Sequence, residues 1–242
     1  YTVVDETMLR DMVANEEDVT KVVTTFVTDM EDMFFLGVGN EGGIVNNFNQ
    51  DISSWDVSNV TDMAQMFWWN YNFNQPIGNW DVSNVTDMRG MFDYAISFNQ
   101  PIGDWNLSNV TLMEGMFRGA TAFNQPIGNW DVSKVSKMAV VFYKASSFNQ
   151  PIGDWDVSNV GVGGINSDMA LMFGDATSFN QDISNWDVSN VVYMPSMFEN
   201  ATSFNQDLSN WDVSNVGLCH LFHYNTPQWT LPKPNLHPSC LE

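Results

Sequence analysis

The stretch SFNQPIGDWDVSNV, residues 147–160, recurs with small changes along most of the chain. The tryptophan of this motif falls at seven positions: Trp55, Trp80, Trp105, Trp130, Trp155, Trp186 and Trp211. Successive tryptophans are 25 residues apart, except that Trp155 and Trp186 are separated by 31. A fixed period of this size is the sequence signature of a repeat protein, in which similar units stack on one another.

Two insertions and two divergent ends set the boundaries of the array. One insertion lengthens the interval after Val160, where the chain reads GVGGINSDMALM instead of the usual TDM-x-x-M. A divergent first copy begins with VTDMEDMF at residues 27–34, which matches VTDMAQMF at residues 60–67, and the second insertion follows it. We therefore predict an N-terminal helical cap over residues 1–26, a repeat solenoid over 27–216, and a C-terminal cap and tail over 217–242.

Apolar spacing within one copy, residues 80–104, predicts its local structure. Alternation in Trp80-Asp81-Val82 favours a short strand. Four apolar residues then follow at the i, i+3, i+4 and i+7 spacing of one helical face, namely Met88, Met91, Phe92 and Ala95. One unit cannot bury all these side chains alone, so stacking must complete the core. The prediction is an α/β solenoid, similar to leucine-rich repeats, with one short parallel strand and one short helix per 25-residue repeat and about seven to eight coils between caps.

Composition excludes several classes of partner. Acidic residues number 29 against 8 basic ones, which gives a net charge of −21. Such a chain does not bind nucleic acid or anionic lipid by charge, because both need clustered lysine and arginine. It has no run of 18 apolar residues, so we expect no membrane insertion. The repeats also contain no nucleophile motif, phosphate-binding loop or histidine–acid constellation, so we expect no enzymatic activity.

The consensus FNQxIxxWDVSNVTxMxxMFxxA resembles the 25-residue repeat of the BspA-like surface proteins, which is also found in mycoplasma surface lipoproteins. The match runs from about residue 27 to residue 222. The resemblance implies a leucine-rich-repeat-like solenoid at a cell surface or outside the cell, with an adhesive or ligand-binding role. It brings no catalytic residues.

Polar side chains between the inward-facing tryptophan and valine form an acidic strip. Its members after each tryptophan are Asp56, Asp81, Asn106, Asp131, Asp156, Asp187 and Asp212. Neighbouring carboxylates about 5 Å apart repel by roughly 1 to 3 kcal/mol, depending on the local dielectric, so something must offset the repulsion. Either each carboxylate accepts backbone N–H groups from the Ser-Asn turn that follows it, or the strip binds cations, with Ca²⁺ as the candidate. The Asn of each FNQ is expected to form an internal amide ladder along the stack.

An aromatic cluster interrupts the repeat pattern. Trp68, Trp69 and Tyr71 stand where other copies have small or charged residues, and Asn70 replaces the usual buried alanine. Exposed aromatic residues are platforms for sugars or protein partners. The alternative is that these rings cover the nearby insertion at residues 36–47.

Both ends of the chain carry expectations of their own. Residues 5–13 predict a helix that covers the first repeat, with its acidic side chains in the first turn. At the other end, Cys219 and Cys240 predict a disulfide that holds the tail over the last repeat, with a stabilisation of about 3 kcal/mol by loop entropy. A zinc site that adds the nearby histidines, or a pair of free thiols, are the alternatives.

Two functions remain open on these observations. The first is an extracellular or cell-surface module that binds a glycan or a protein partner, through Trp68, Trp69 and Tyr71 or through strip residues Asp81, Asp131, Asp156 and Asp187. The second is a structural surface protein that binds Ca²⁺ or associates with itself. A calcium site would use strip residues Asp56, Asp81, Asp131, Asp156, Asp187 and Asp212. The repeats imply no other cofactor.

Overall fold

A computed structural model describes residues 1–35, 47–163 and 168–240 of the 242 residues. Its regular elements are strand β1 (Thr2–Val3), helix α1 (Glu6–Ala14), strand β2 (Val22–Val23) and a 3-10 helix at Pro238–Cys240. No helix in this part of the chain has the length and apolar character needed to cross a bilayer.

The N-terminal segment covers one end of the core. Strands β1 and β2 pair in parallel, with Thr2 opposite Val22. Asp5 caps helix α1, because its carboxylate accepts the Met8 backbone N–H at 2.8 Å. Leu9 and Val13 are buried in the same apolar cluster as the repeats. The predicted N-terminal helix is therefore confirmed, shifted by one residue.

The same backbone contacts recur from one repeat to the next, as expected for a repeat fold. The prediction of one helix per repeat, however, is wrong for the described residues. In the segment that was expected to be helical, Gly90 and Tyr94 have φ angles of 60° and 56°. Alternate backbone N–H groups there donate to the next repeat, as Phe92 does to the Met116 carbonyl at 2.9 Å. The N–H groups between them bond three residues back and close four-residue turns within the repeat, as Asp93 does to Gly90. An α-helix needs i to i−4 bonds and negative φ at every residue, and this segment has neither.

The predicted strand at residues 80–82 is also absent. The Trp80 and Val85 N–H groups each bond three residues back within their own repeat, to Ile77 and Val82. Parallel pairing occurs instead at isolated bridges a few residues later, for example between Asp62 and Asp87. A single bridging residue per repeat is too short for a strand, although it holds the expected parallel relation between neighbouring repeats.

The expected core residues are buried. In the copy at residues 80–104 the apolar positions that the pattern assigns to the core lie inside: Trp80, Val82, Val85, Met88, Met91, Phe92, Ala95, Phe98 and Ile102. Ile96, outside that pattern, is exposed. Equivalent rings stack from repeat to repeat, as Phe123 does on Phe148 with centroids 6.0 Å apart. The motif tryptophans from Trp80 to Trp211 also donate their indole N–H to an isoleucine carbonyl of the preceding repeat, as Trp105 does to Ile77 at 3.2 Å. Trp55 donates to the Val19 carbonyl instead. Stacking therefore buries the apolar side chains and satisfies the polar atom of the tryptophan.

An amide ladder runs along the array, as the FNQ pattern predicted. The Asn99 backbone N–H donates to the Asn74 side-chain oxygen at 2.9 Å, and Gln100 donates to the same residue. The same pair of contacts recurs in the later repeats. Each Asn thus satisfies backbone in the next repeat and fixes the register between the two.

Candidate functional site

Each member of the acidic strip closes the turn that follows it. The Ser133 backbone N–H donates to an Asp131 carboxylate oxygen at 3.1 Å, and the Ser133 hydroxyl donates to the same oxygen at 2.6 Å. The backbone contact recurs at all seven strip positions, including Asn106, whose amide oxygen accepts from Ser108 at 3.1 Å. The strip residues therefore have a structural role that does not require a negative charge, since Asn106 performs it as well.

These contacts favour the ionised form of five strip carboxylates. The pKa values of Asp81 and Asp131 are lowered, first by the serine hydroxyl two residues on and then by the backbone N–H of the same serine. Serine bonds of the same kind lower the pKa values of the other shifted members: Asp56, Asp187 and Asp212. A hydrogen bond to the charged form favours that form. Turn formation thus offsets the mutual repulsion that the sequence implied.

No group of three or more His, Cys, Asp or Glu side chains comes together as a metal site in residues 1–35, 47–163 and 168–240. Ca²⁺ takes six to eight oxygen ligands in proteins. A cation on the strip would have to take most of its ligands from elsewhere, because each strip oxygen that faces its own turn is already engaged. The calcium hypothesis therefore stays a prediction without a ligand cluster in the described chain.

The structure brings together the three aromatic residues that the sequence singled out. Trp68 and Trp69 meet edge to face with ring centroids 6.2 Å apart, and Trp69 stacks on Tyr71 at 6.3 Å. Trp69 is 38% exposed, whereas Trp68 is partly buried against Phe35 at 5.0 Å. The alternative that these rings cover the insertion at residues 36–47 concerns residues 36–46 almost entirely, and these lie outside the described residues.

A fourth ring extends this cluster, and the sequence reading missed it. Tyr94 lies 5.7 Å from Trp69 in the next repeat. It holds the same repeat position as Trp69, which was the available signal. We call Trp68, Trp69, Tyr71 and Tyr94 the aromatic patch.

An ion pair between a buried aspartate and a partly exposed arginine supports the far edge of the aromatic patch. The Arg118 guanidinium lies over the Tyr94 ring, 5.4 Å from its centroid, and bonds the Asp93 carboxylate at 2.9 Å. Burial raises the pKa of Asp93 to about 6, although the charge and hydrogen bond of Arg118 partly lower it. The pair fixes the position of the arginine on the tyrosine ring.

Within the part of the chain that the structure describes, two buried polar atoms in or next to the patch have no hydrogen-bond partner. They are the Trp68 indole nitrogen and the Asn70 side-chain oxygen. The other end of the Asn70 amide donates to the Phe48 carbonyl at 2.9 Å. Unsatisfied buried polar atoms are rare because each one costs about 1 to 3 kcal/mol. At the position of Asn70 most other repeats have alanine, for example Ala95 and Ala120, which leaves no polar side chain unsatisfied. This repeat therefore carries a polar residue that stability alone does not favour.

Cys219 and Cys240 form a disulfide in the structure, with Cα atoms 4.8 Å apart. Neither cysteine of the chain is a free thiol. Both are buried, and the tail residue Trp229 lies between them in sequence and packs on Phe204 at 4.7 Å. The zinc alternative has no ligand cluster among the described residues.

The chain was also compared with known proteins. A family model described as Mycoplasma protein of unknown function, DUF285, matches residues 5–127 and again residues 125–230. Comparison with the curated proteins found no match, and neither did comparison with the solved structures. Two tandem matches that together span most of the chain confirm a repeat-containing family.

Proposed function

The chain belongs to the Mycoplasma family of unknown function DUF285, and we propose that it works as a non-catalytic binding module that recognises a glycan through the aromatic patch. The observation that carries this proposal is the local exposure of aromatic rings in one repeat. Trp69 is 38% exposed and contacts Tyr71 and Tyr94. Flat, partly exposed rings pack against the apolar faces of sugars, and large exposed apolar groups mark interaction sites.

The supporting fold is proposed to be a solenoid in which the repeats stack in sequence order. Backbone bonds between neighbouring repeats support this arrangement, as does the ring stacking of the core. In a solenoid each repeat contacts only its neighbours, so side chains at one repeat position form a row along one face. Trp69 and Tyr94 would then be adjacent members of such a row.

An extracellular or cell-surface location, and kinship with the BspA-like surface proteins, are part of the same proposal. The Cys219–Cys240 disulfide supports an oxidising environment, since structural disulfides are rare in the cytosol. A Ca²⁺-binding or self-associating surface protein is the competing function. It has less support, because the strip carboxylates are engaged by their own turns.

Trp69→Ala tests the proposal on an array of neutral and acidic oligosaccharides. We expect the variant to lose at least about tenfold in affinity for any sugar that the unchanged protein binds, since one stacked ring is worth about 0.5 to 1.5 kcal/mol beyond the apolar area that it buries. Its stability should change little, because the side chain is already half outside the core.

Tyr224→Ala is the matched control. Tyr224 is 59% exposed and holds the Trp68 position in the last repeat. It should leave sugar binding unchanged. Equal losses in both variants, or no sugar bound by the unchanged protein, would refute the role of the patch.

A further inference from the structure

A groove separate from the aromatic patch is lined by proline, glycine and polar residues. Folding alone does not require this set of residues. The groove has a volume of about 300 Å³ and is lined by Pro101, Pro126 and Pro151, with Gly103, Gly128, Asp104 and Asn129. These residues come from three successive copies of Gln-Pro-Ile-Gly-Asp/Asn. We call this surface the proline groove. No lysine or arginine lines it.

The groove motif is confined to four consecutive repeats, at residues 75–79, 100–104, 125–129 and 150–154. The repeats on either side read Gln-Asp-Ile-Ser, or the same with Leu for Ile, at residues 50–53, 181–184 and 206–209. In those repeats the aspartate accepts the backbone N–H of the serine at about the same distance each time, 2.9 to 3.0 Å. The Asp/Ser version therefore builds the same turn, and replacing both residues together removes two polar side chains from the surface.

A structural reason accounts for only part of this replacement. A Cβ atom added at Gly103 would lie 2.3 Å from the Pro126 carbonyl oxygen, so glycine relieves a close approach between repeats. Proline also stiffens the unfolded chain, which stabilises a compatible turn by about 0.4 to 1 kcal/mol. Neither effect explains why the final residue carries a free charge in two of the four copies.

Asp104, which lines the groove, and Asp154, three residues after the lining residue Pro151, supply that charge. Both are exposed, and neither carboxylate has a hydrogen bond or an ion pair with the residues that the structure describes, unlike the turn-forming aspartates of the acidic strip. They hold the same repeat position two repeats apart. Trp130 and Trp155, which directly follow Asn129 and Asp154, lie 6.3 Å apart in neighbouring repeats. Asp104 and Asp154, two repeats apart, are therefore separated by about twice that distance.

We propose that the proline groove binds a basic, extended peptide segment of a partner protein. The net charge of −21 attracts a cationic partner. In a polyproline II segment every third residue returns to the same face after about 9 Å. The carboxylates are somewhat farther apart than this, but lysine and arginine have long flexible stems. Two such side chains three residues apart would reach Asp104 and Asp154 together, while the rest of the segment packs on the proline rings.

The test is titration of the purified full chain with a fluorescent (Lys-Pro-Pro)₄ peptide at low ionic strength. The double variant Asp104→Asn/Asp154→Asn should weaken binding about tenfold, since it removes two exposed ion pairs. It should fold normally, because Asn79 and Asn129 occupy the same position in the neighbouring repeats. Pro126→Ala keeps the charge, removes one ring from the groove, and should weaken binding about threefold.

The charge-matched control is Asp182→Asn/Asp207→Asn, outside the groove. It removes the same net charge, and Asn106 shows that asparagine can hold such a turn. It should change the affinity less than about twofold. A control loss as large as that of the groove variant, binding of (Glu-Pro-Pro)₄ as tight as that of the lysine peptide, or no binding of the lysine peptide would each overturn the proposal.

The groove proposal does not depend on the aromatic patch. Trp69→Ala should leave peptide affinity unchanged, and the groove variant should leave any sugar binding unchanged. Loss of sugar binding in the groove variant would show that the groove takes a glycan, and the peptide proposal would then be wrong.

Discussion

At the scale of single residues, aspartate has three different roles in this molecule. Asp131 closes a turn, Asp104 faces solvent without a partner, and Asp93 is buried beside Arg118. The turn-forming aspartates were the easiest to predict from the sequence, because each is followed by a serine two residues later. No sequence signal indicated the burial of Asp93, since that depends on the arginine of the following repeat.

The raised pKa of Asp93 predicts a distinct pH dependence. Its folded-state pKa of about 6 exceeds the ordinary value of 3.8, so the folded protein binds this proton more tightly than the unfolded chain. The resulting stabilisation is complete below pH 4 and is lost as the pH rises through 6. The free energy of unfolding of the unchanged protein, minus that of Asp93→Asn, should fall by on the order of 2 to 3 kcal/mol between pH 4 and pH 7. Urea unfolding at several pH values measures this difference.

Asp131→Asn is the control with the opposite sign. The Asp131 pKa is lowered by Ser133, so its contribution is present above pH 4 and is lost as the pH falls below that value. The corresponding difference should therefore be flat between pH 5 and pH 7. A flat difference for Asp93→Asn over pH 4 to 7 would contradict the burial of an ionisable carboxyl at this site.

At the scale of elements, the apolar pattern predicted the core but not the backbone. The spacing of Met88, Met91 and Phe92 fits a helical face, yet a chain of short turns also directs these side chains inward. What separates the two is positive φ at two positions in each repeat. Glycine at residues 90 and 115 is compatible with positive φ and could have indicated it. Gln65 and Val140 hold the same repeat position with positive φ, so the residue types at this position give no consistent signal. Local propensity therefore could not reveal turns that are imposed by hydrogen bonds to the next repeat.

Val140 offers a test of this backbone. Its φ is 54°, a region that costs a branched residue about 1 to 2 kcal/mol. Asparagine tolerates this region and stands at φ 57° at Asn200. Val140→Asn should therefore raise the free energy of unfolding by about 1 kcal/mol, as measured by urea unfolding.

Val192→Asn is the comparison for Val140→Asn. Val192 is exposed and is not among the residues with positive φ. Its replacement should not stabilise the protein. If Val140→Asn is no more stable than Val192→Asn, the turn geometry at this position is wrong.

At the scale of the whole molecule, the aromatic patch and the proline groove arise where the repeat pattern changes. The sequence predicted the position of Trp68, Trp69 and Tyr71, because they break a visible period. It did not identify the groove, since proline and glycine were read only as turn residues. The residues that follow the repeat consensus build the shared core. The residues that depart from it give single repeats a surface that the other repeats lack, and a binding site needs such a locally distinct set of groups.

The stacking of aromatic rings changes after the last repeat of the motif. Rings stack nearly parallel through the repeats, but Phe204 meets Trp229 edge to face, with an interplanar angle of 82°. Trp229 also meets Phe198 edge to face at 5.2 Å and is almost fully buried. The column of parallel core rings therefore stops at Phe204, because Trp229 turns its edge rather than its face toward that ring.

Trp229→Ala should therefore destabilise the C-terminal repeats first. Loss of a buried tryptophan costs about 3 to 5 kcal/mol, and in a stacked array the effect passes only through neighbouring repeats. The Phe204 and Trp211 backbone N–H groups donate to carbonyls three residues back and close turns in the last repeats. Hydrogen exchange should show that these two amides lose protection, while the Trp80 amide keeps its protection. Trp69→Ala, at an exposed ring, should leave both regions protected. A uniform loss of protection along the chain in Trp229→Ala would show that the array unfolds as one cooperative unit and that the cap does not act locally.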